Sequence, residues 1–408
     1  FCSICIIALQ VYTQMGNDYI CYMLYGIKNA YKAFKTLRAD KKALREFDRH
    51  AAYVKNAHQT RSTTYSNILL HLVDIGDYLT FRNFLPYYHQ LCGDNTLFIG
   101  NMAFKPIYDE YDRTFRHTLW LDKKTIGDYA GRKAWLNTLS TLHAEHVYMP
   151  AYNANGFPDL LSLLAFTDSE KIIPLHGGDS FQQHFLARYS QHTTNNSFIG
   201  SLRKDFLHEF LRNKEIAEAL CDQKIQLEKP YLPVTKKHST TIVVFCGANH
   251  KSKIWPASHY AAVIRAIETA HPQTYEFVLS GSVSERGMEK AIADILSTNV
   301  KNLTLTCGKT TLPELIQQIA DACLLISPDT VAQHIAASTT TPCVVYSNGV
   351  NYYRFISTPE TFSHMHHAVP PLFIKKGYPL WRFAPSSLVS TIQPDTVSTL
   401  ALGLLNSR

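Results

Sequence analysis

From Ser66 onward the chain alternates short aliphatic and β-branched runs with longer stretches of helical periodicity, and it does so twice, on either side of a proline-containing break. No other feature constrains the fold as strongly. Strands separated by helices cannot pair as hairpins, so they lie parallel in a sheet with helices on its faces. In the first series the predicted strands are Asn67–Val73, Leu97–Ile99, His117–Leu121, His146–Met149 and Lys171–Leu175, with helices over Asp77–His89, Gly127–Leu142 and Leu202–Cys221. Lys229–Lys237, with two prolines among polar residues, reads as a linker. The second series places strands at Thr241–Cys246, Glu276–Ser280, Leu303–Thr306, Cys323–Ser327 and Pro342–Tyr346. Its helices span Ala257–Ala270, Ser284–Ser297, Leu312–Asp321 and Thr330–Ser338. The predicted organisation is an N-terminal helical extension (1–60), a Rossmann-like domain (61–228), a linker (229–240) and a second Rossmann-like domain (241–408). Two doubly wound sheets facing one another make a cleft at the C-terminal ends of their strands, where such sheets bind ligands.

A chain of 408 residues exceeds what one hydrophobic core organises, and 46% hydrophobic with 18% charged residues is an ordinary globular composition. The nine cysteines are scattered singly, several inside apolar runs, and read as reduced core residues of a cytoplasmic protein. Cys2 and Cys5 lack a second ligand pair, so no metal site is expected. The chain opens at Phe1, which suggests a fragment or an upstream start, with Met15 or Met23 as alternative starts; Phe1–Leu9 supports neither a signal peptide nor a spanning helix. Between Ile27 and Val54, apolar residues at helical spacing run beside a stripe of Lys28, Lys32, Lys35, Lys42, Arg45 and Arg49. Two readings are open: a platform for an anionic membrane surface, or a helix packed on the neighbouring domain with a solvated face.

Three strand ends carry candidate chemistry. In Ser327-Pro328-Asp329-Thr330, a buried strand turns into a helix whose amide groups and dipole suit a diphosphate, with His334 one turn on from Thr330. Asp329 or Thr330 is equally readable as a plain N-cap, and His334 as a satisfied histidine. The loop after Phe245 carries Lys251 and Lys253 ahead of Trp255-Pro256. They read either as counter-ions for a leaving phosphate or as solvated charges. In Asp74-Ile75-Gly76-Asp77, Gly76 permits a tight turn and Asp77 is either a cap or a base poised to take a proton from an acceptor hydroxyl.

Together these segments resemble glycosyltransferase family 9, the bacterial heptosyltransferases of lipopolysaccharide assembly. The matching residues are Ile75-Gly76-Asp77, Lys253-Ile254-Trp255-Pro256 and Asp329-Thr330-x-x-x-His334-Ile335-Ala336-Ala337 before Thr341-Pro342, and the resemblance covers roughly Ser66 to Leu405. It implies an α/β GT-B fold and a metal-independent, cofactor-free, inverting transfer. The partners would be a nucleotide-sugar donor, with heptose on an ADP carrier the best-known case, and a lipid-linked glycan acceptor at the cytoplasmic face of the inner membrane. By position it assigns Asp77 as general base, Lys253 as phosphate-binding lysine, and Asp329, Thr330 and His334 as the donor cluster, with Glu285 near the donor ribose. Two departures stand out: Val331 where the family has glycine after Asp-Thr, and Ser347-Asn348-Gly349 in place of Phe-Gly-Pro. They motivate an alternative, a non-catalytic sugar-nucleotide-binding or assembly protein of the same fold. A nicotinamide enzyme is disfavoured because no Gly-x-Gly-x-x-Gly follows either first strand, and nucleic-acid binding because the basic residues gather in one helix without a recognition module.

Overall fold

A computed structural model describes residues 45–55, 63–150, 157–173, 193–194, 208–248, 253–296, 300–349, 351, 354–355, 362–370 and 386–407. Six parallel strands form each of two sheets. The first comprises β1 (Thr63–His71), β2 (Thr96–Asn101), β3 (His117–Leu121), β4 (Leu142–Tyr148), β5 (Glu170–Ile172) and β6 (Thr193–Thr194), in the order β3-β2-β1-β4-β5-β6. The second comprises β7 (Thr241–Phe245), β8 (Glu276–Ser280), β9 (Leu303–Leu305), β10 (Leu324–Pro328), β11 (Cys343–Tyr346) and β12 (Met365–Ala368), in the order β12-β11-β10-β7-β8-β9. Counted from its own first strand, the first sheet has the Rossmann order 3-2-1-4-5-6, and the second has the same order read from its other edge. The helices used below are α1 (45–55), α2 (Ile75–Phe81), α3 (Leu85–Cys92), α4 (Tyr129–Ser140), α5 (Phe157–Leu163), α6 (Glu209–Cys221), α7 (Ala257–Ala270), α8 (Arg286–Leu296), α9 (Leu312–Asp321), α10 (Val331–Thr339) and α11 (Pro394–Asn406).

Strands such as β2, β10 and β11 are buried on both faces, and the period of two sorts strand residues into separate cores. Ile68, Leu70, Leu97 and Ile99 point into a core with α4 and α5, whereas Leu69 and Phe98 point to the opposite side. In the second sheet Ile242, Val244, Leu324 and Ile326 face a core with α7, α8 and α11. Val243, Phe245, Leu325 and Val345 face the other way. The two opposite faces share a single core, which contains Tyr78 and Phe84 from the first half and Ile316, Ile335 and Ala336 from the second. The halves therefore meet through continuous apolar packing, chiefly α2 against α10.

The linker is held by both halves. Arg82 and Asn83 donate to the Tyr231 carbonyl at 2.5 and 3.0 Å, and the Leu232 amide donates to the Ser338 carbonyl of α10 at 2.8 Å. Arg82 is itself buried and paired with Asp112 at 2.6 Å, an arrangement in which loss of one partner strands the other charge away from water.

Several elements differ from the sequence expectation. The single helix expected over Asp77–His89 is two, because Pro86 has no N–H and its ring collides with the carbonyl four residues back, at Arg82. The helix expected to reach Leu142 ends at Ser140, and Leu142 opens β4. Strand β12 and helices α5 and α11 add to the expected elements. Over residues 45–55 the basic amphipathic helix takes the packing reading. Phe47 is fully buried in the first half's core and Glu46 pairs with Arg132 of α4 at 2.5 Å, while Arg45 and Arg49 remain exposed. The remainder of that predicted helix lies outside the described residues, as do Cys2, Cys5 and Lys251. Cys92, Cys246, Cys307, Cys323 and Cys343 are buried thiols, as their apolar settings imply. Among the described residues no helix is long and apolar enough to cross a membrane.

Candidate active site between the two halves

Each singled-out residue follows the C-terminal end of a strand. Asp77 follows β1, Lys253 follows β7, Glu285 follows β8, and Asp329, Thr330 and His334 follow β10. Because α2 and α10 pack on one another, the ends of β1 and β10 converge where the halves meet. The contact is close: a Cβ built on Gly76 would lie 2.5 Å from His334 Cδ2 and 2.9 Å from Nε2. Gly76 thus serves close approach of the imidazole, and it does not adopt a left-handed turn. The His334 ring is wedged edge-on against Phe355, centroids 4.5 Å apart, so it has little room to yield. Gly76→Ala should therefore destabilise the chain by about 1–3 kcal/mol through overpacking. Urea unfolding monitored by fluorescence measures this, and an unchanged midpoint would show that the helices separate without cost.

Asp77 stands next to that contact, in the first turn of α2, and its Oδ1 accepts from an Arg354 guanidinium nitrogen at 2.7 Å. Arg354 lies beyond β11 in the second half, and its Nε donates to Glu209 of α6 at 3.0 Å. Burial pushes the Asp77 carboxyl up to about 6; Arg354 pulls the other way, while Glu209 and Asp74 add to the rise. Burial also opposes the Glu209 anion, yet Arg354 and Arg212 outweigh it and hold that carboxyl below its usual value. Burial lowers His334 to about 4, so at neutral pH it is an uncharged imidazole.

On the second-half side, Lys253 Nζ donates to the Asp329 backbone carbonyl at 2.8 Å and to its Oδ2 at 3.1 Å. Gln333 donates to the other carboxylate oxygen at 3.0 Å and Asn351 to Oδ2 at 3.2 Å. Asp329 is only 2% exposed at its side chain, whereas Lys253 is 22% exposed. Asp329 is therefore an anchor behind the lysine, and Lys253 presents the charge. Trp255 explains why the lysine is fixed there. Its ring is fully buried, stacks on Tyr346 at 4.7 Å and donates to the Ile392 carbonyl at 3.1 Å, which pins the loop just after Lys253. Thr330 is the extended N-cap of α10 and makes no side-chain cap bond, so the helix start is not covered by its own hydroxyl. Val331 packs against the shared core. Glu285 closes a capping box with Ser282, its Oε2 accepting from the Ser282 amide at 2.8 Å, and it stands over Gly247 just after β7.

Beyond Ser347-Asn348-Gly349, the segment after β11 escapes the sequence reading. It turns at Gly349, whose φ is +80°, and delivers Asn351 to Asp329 and Arg354 to Asp77. A lone arginine within Tyr352-Tyr353-Arg354-Phe355-Ile356 is the available signal. Among the described residues no cluster of three or more His, Cys, Asp or Glu side chains could hold a metal ion.

Two facing Rossmann-like halves joined by a linker, with strand-end residues of both at the seam between them, define a GT-B architecture. Residues 201–348 match the family model described as glycosyltransferase family 9 (heptosyltransferase), so the resemblance carried by the motifs holds over that segment. A glycosyl transferase family 9 structure from Veillonella parvula is similar with a TM-score of 0.61 at 14% identity, covering 85% of this chain and 98% of that one. E. coli heptosyltransferase WaaC with ADP gives 0.56 at 13% identity, covering 83% and 99%. E. coli ADP-heptose lps heptosyltransferase II gives 0.55 at 16%, covering 84% and 99%. At these identities the likeness establishes the fold. No curated protein matches the sequence.

Proposed function

We propose that the chain is an inverting, metal-independent glycosyltransferase that moves a sugar from a nucleotide-diphosphate donor to a hydroxyl of a lipopolysaccharide-type acceptor. The observation that carries the proposal is the meeting of Gly76-Asp77, from one half, with His334 and Arg354 respectively, from the other, while Lys253 is held on Asp329 at the start of the His334 helix. Cleaving the sugar–phosphate bond leaves extra negative charge on the departing diphosphate. Lys253 and the start of α10 at Thr330 supply fixed positive potential for it without a cation. Asp77 accepts the acceptor's proton as its oxygen attacks the anomeric carbon opposite the leaving group. Glu285, just after β8, is the residue for a ribose hydroxyl, and neutral His334 for a hydrogen bond to the donor. ADP-heptose is the donor to try first, since it is named for one structural relative. A lipid anchor on the acceptor would hold the enzyme at the cytoplasmic face of the inner membrane.

The test is transfer by the purified chain from a panel of nucleotide sugars, ADP-heptose first, to truncated lipopolysaccharide in vesicles, with released nucleoside diphosphate quantified and donor binding followed by calorimetry. One donor should both bind and turn over, with the chain sedimenting with the vesicles. Binding without transfer to any acceptor would favour the alternative of a sugar-nucleotide-binding protein, which Val331 and Ser347-Asn348 motivate.

A further inference from the structure

Arg354 is shared between two carboxylates that belong to the other side of the molecule. It reaches Asp77 in α2 at 2.7 Å and Glu209 in α6 at 3.0 Å, and its guanidinium lies over the Phe355 ring, 4.6 Å from carbon to centroid. Helices α2 and α6 pack together within the first half, so the arginine is the contribution of the second half to an otherwise acidic pair. We infer, on the reading that Asp77 is the base, that Arg354 and Glu209 are its positioning residues: Arg354 keeps Asp77 ionised and aimed at the seam, and Glu209 governs how much of the arginine's charge Asp77 receives.

The physical need is specific. The packing of α2 against α10 takes Asp77 largely out of water, which penalises the anion and by itself favours the protonated acid. Arg354, brought to the same seam by the second half, supplies the compensating charge. It also binds one carboxylate oxygen, Oδ1, fixing the plane of the group and leaving Oδ2 to the acceptor hydroxyl. The remaining groups around Asp77 do not replace it. Asp74, in the turn before α2, is an anion and already engages Lys123 at 2.8 Å. From α6 come Glu209 and Arg212, which pairs with Glu209 at 3.9 Å. From α10 comes His334, uncharged at neutral pH through burial. His208, before α6, is likewise held neutral by burial. Among the described residues, Arg354 is thus the cation whose nitrogen bonds the base.

The two residues make opposite predictions, which a merely structural contribution would not. In protein carrying carboxyl-13C aspartate, the Asp77 resonance is identified by its loss in Asp77→Asn, and its titration is followed by NMR. Arg354→Gln should raise the Asp77 midpoint by about one pH unit or more, since an opposite charge at this range shifts a carboxyl by about 1–3 units. Glu209→Gln should lower it, because the arginine then serves one anion. Arg354→Lys should lie between Arg354→Gln and the wild type. Opposite displacements support the inference; no displacement, or displacement in one direction for both, overturns it. If Arg354→Gln does not fold, Glu209→Gln decides alone, because its midpoint must fall. The titration needs no substrate, so its failure is distinct from failure of the transferase reading, which rests on turnover.

Discussion

Asp77→Asn is expected to lower kcat by about 10²–10⁴-fold while donor affinity stays within about twofold, the loss typical of removing a positioned general base. Asparagine preserves the shape of the side chain, and its amide oxygen still accepts from Arg354, so the junction between α2 and α10 should remain intact. What disappears is the capacity to take a proton. The pH dependence follows from the sign of the shift. Burial raises the Asp77 carboxyl to about 6, and the base works only as the anion, so wild-type kcat/KM should fall as pH drops through about 6. The residual rate of the Asp77→Asn variant should lack that acid limb. Steady-state kinetics across that pH range, with donor calorimetry, measure both; a variant retaining full rate would remove Asp77 from the chemistry.

Lys253→Ala carries the second large effect, a fall in kcat/KM of about 10²–10³-fold, as for loss of a preorganised charge aimed at a leaving group. The lysine is partly exposed while its partner Asp329 is buried, so its charge can reach a bound diphosphate with the carboxylate behind it. Asp329→Asn should be milder, because its one remaining carbonyl oxygen can still accept from Lys253 and Asn351, only the bond from Gln333 is lost, and the lysine keeps its bond to the backbone carbonyl. Released nucleoside diphosphate, quantified over a range of donor concentrations, gives the comparison. Equal and small losses in both variants would mean that the leaving group is stabilised elsewhere.

Much of this architecture is legible in the sequence because parallel α/β folds leave a local signature. A buried strand reads as an apolar run, and the rule that ligands gather at strand ends directs attention to Asp77, Lys253 and the Asp329–His334 turn, Glu285 being added only by the family resemblance. Other parts have no local signature. Strand β12 is Met-His-His-Ala, without β-branched residues, and takes its conformation from pairing with β11. Gly76 looks like a turn residue, and only the packing of α10, far along the chain, reveals that it makes room for an imidazole. Arg354 and Glu209 are invisible for the same reason. Arg354 lies 277 residues from Asp77 and 145 from Glu209 in sequence, so no spacing rule links them. Asp329 illustrates the converse. Its motif marks it as donor-binding, yet in the folded chain its carboxylate is engaged by Lys253, Gln333 and Asn351, and the outward position goes to Lys253.

The central claim is sugar transfer at the seam between the two halves, and lipopolysaccharide from living cells reports on it most directly. In a deletion strain of the parent organism complemented with either the wild-type chain or Asp77→Asn, mass spectrometry of the lipopolysaccharide should show the intact glycan in the first case. In the second, the glycan should be shortened at one discrete step, with the missing residue naming sugar and acceptor together. An identical, complete glycan in both strains, with the variant present at wild-type level, would contradict the account.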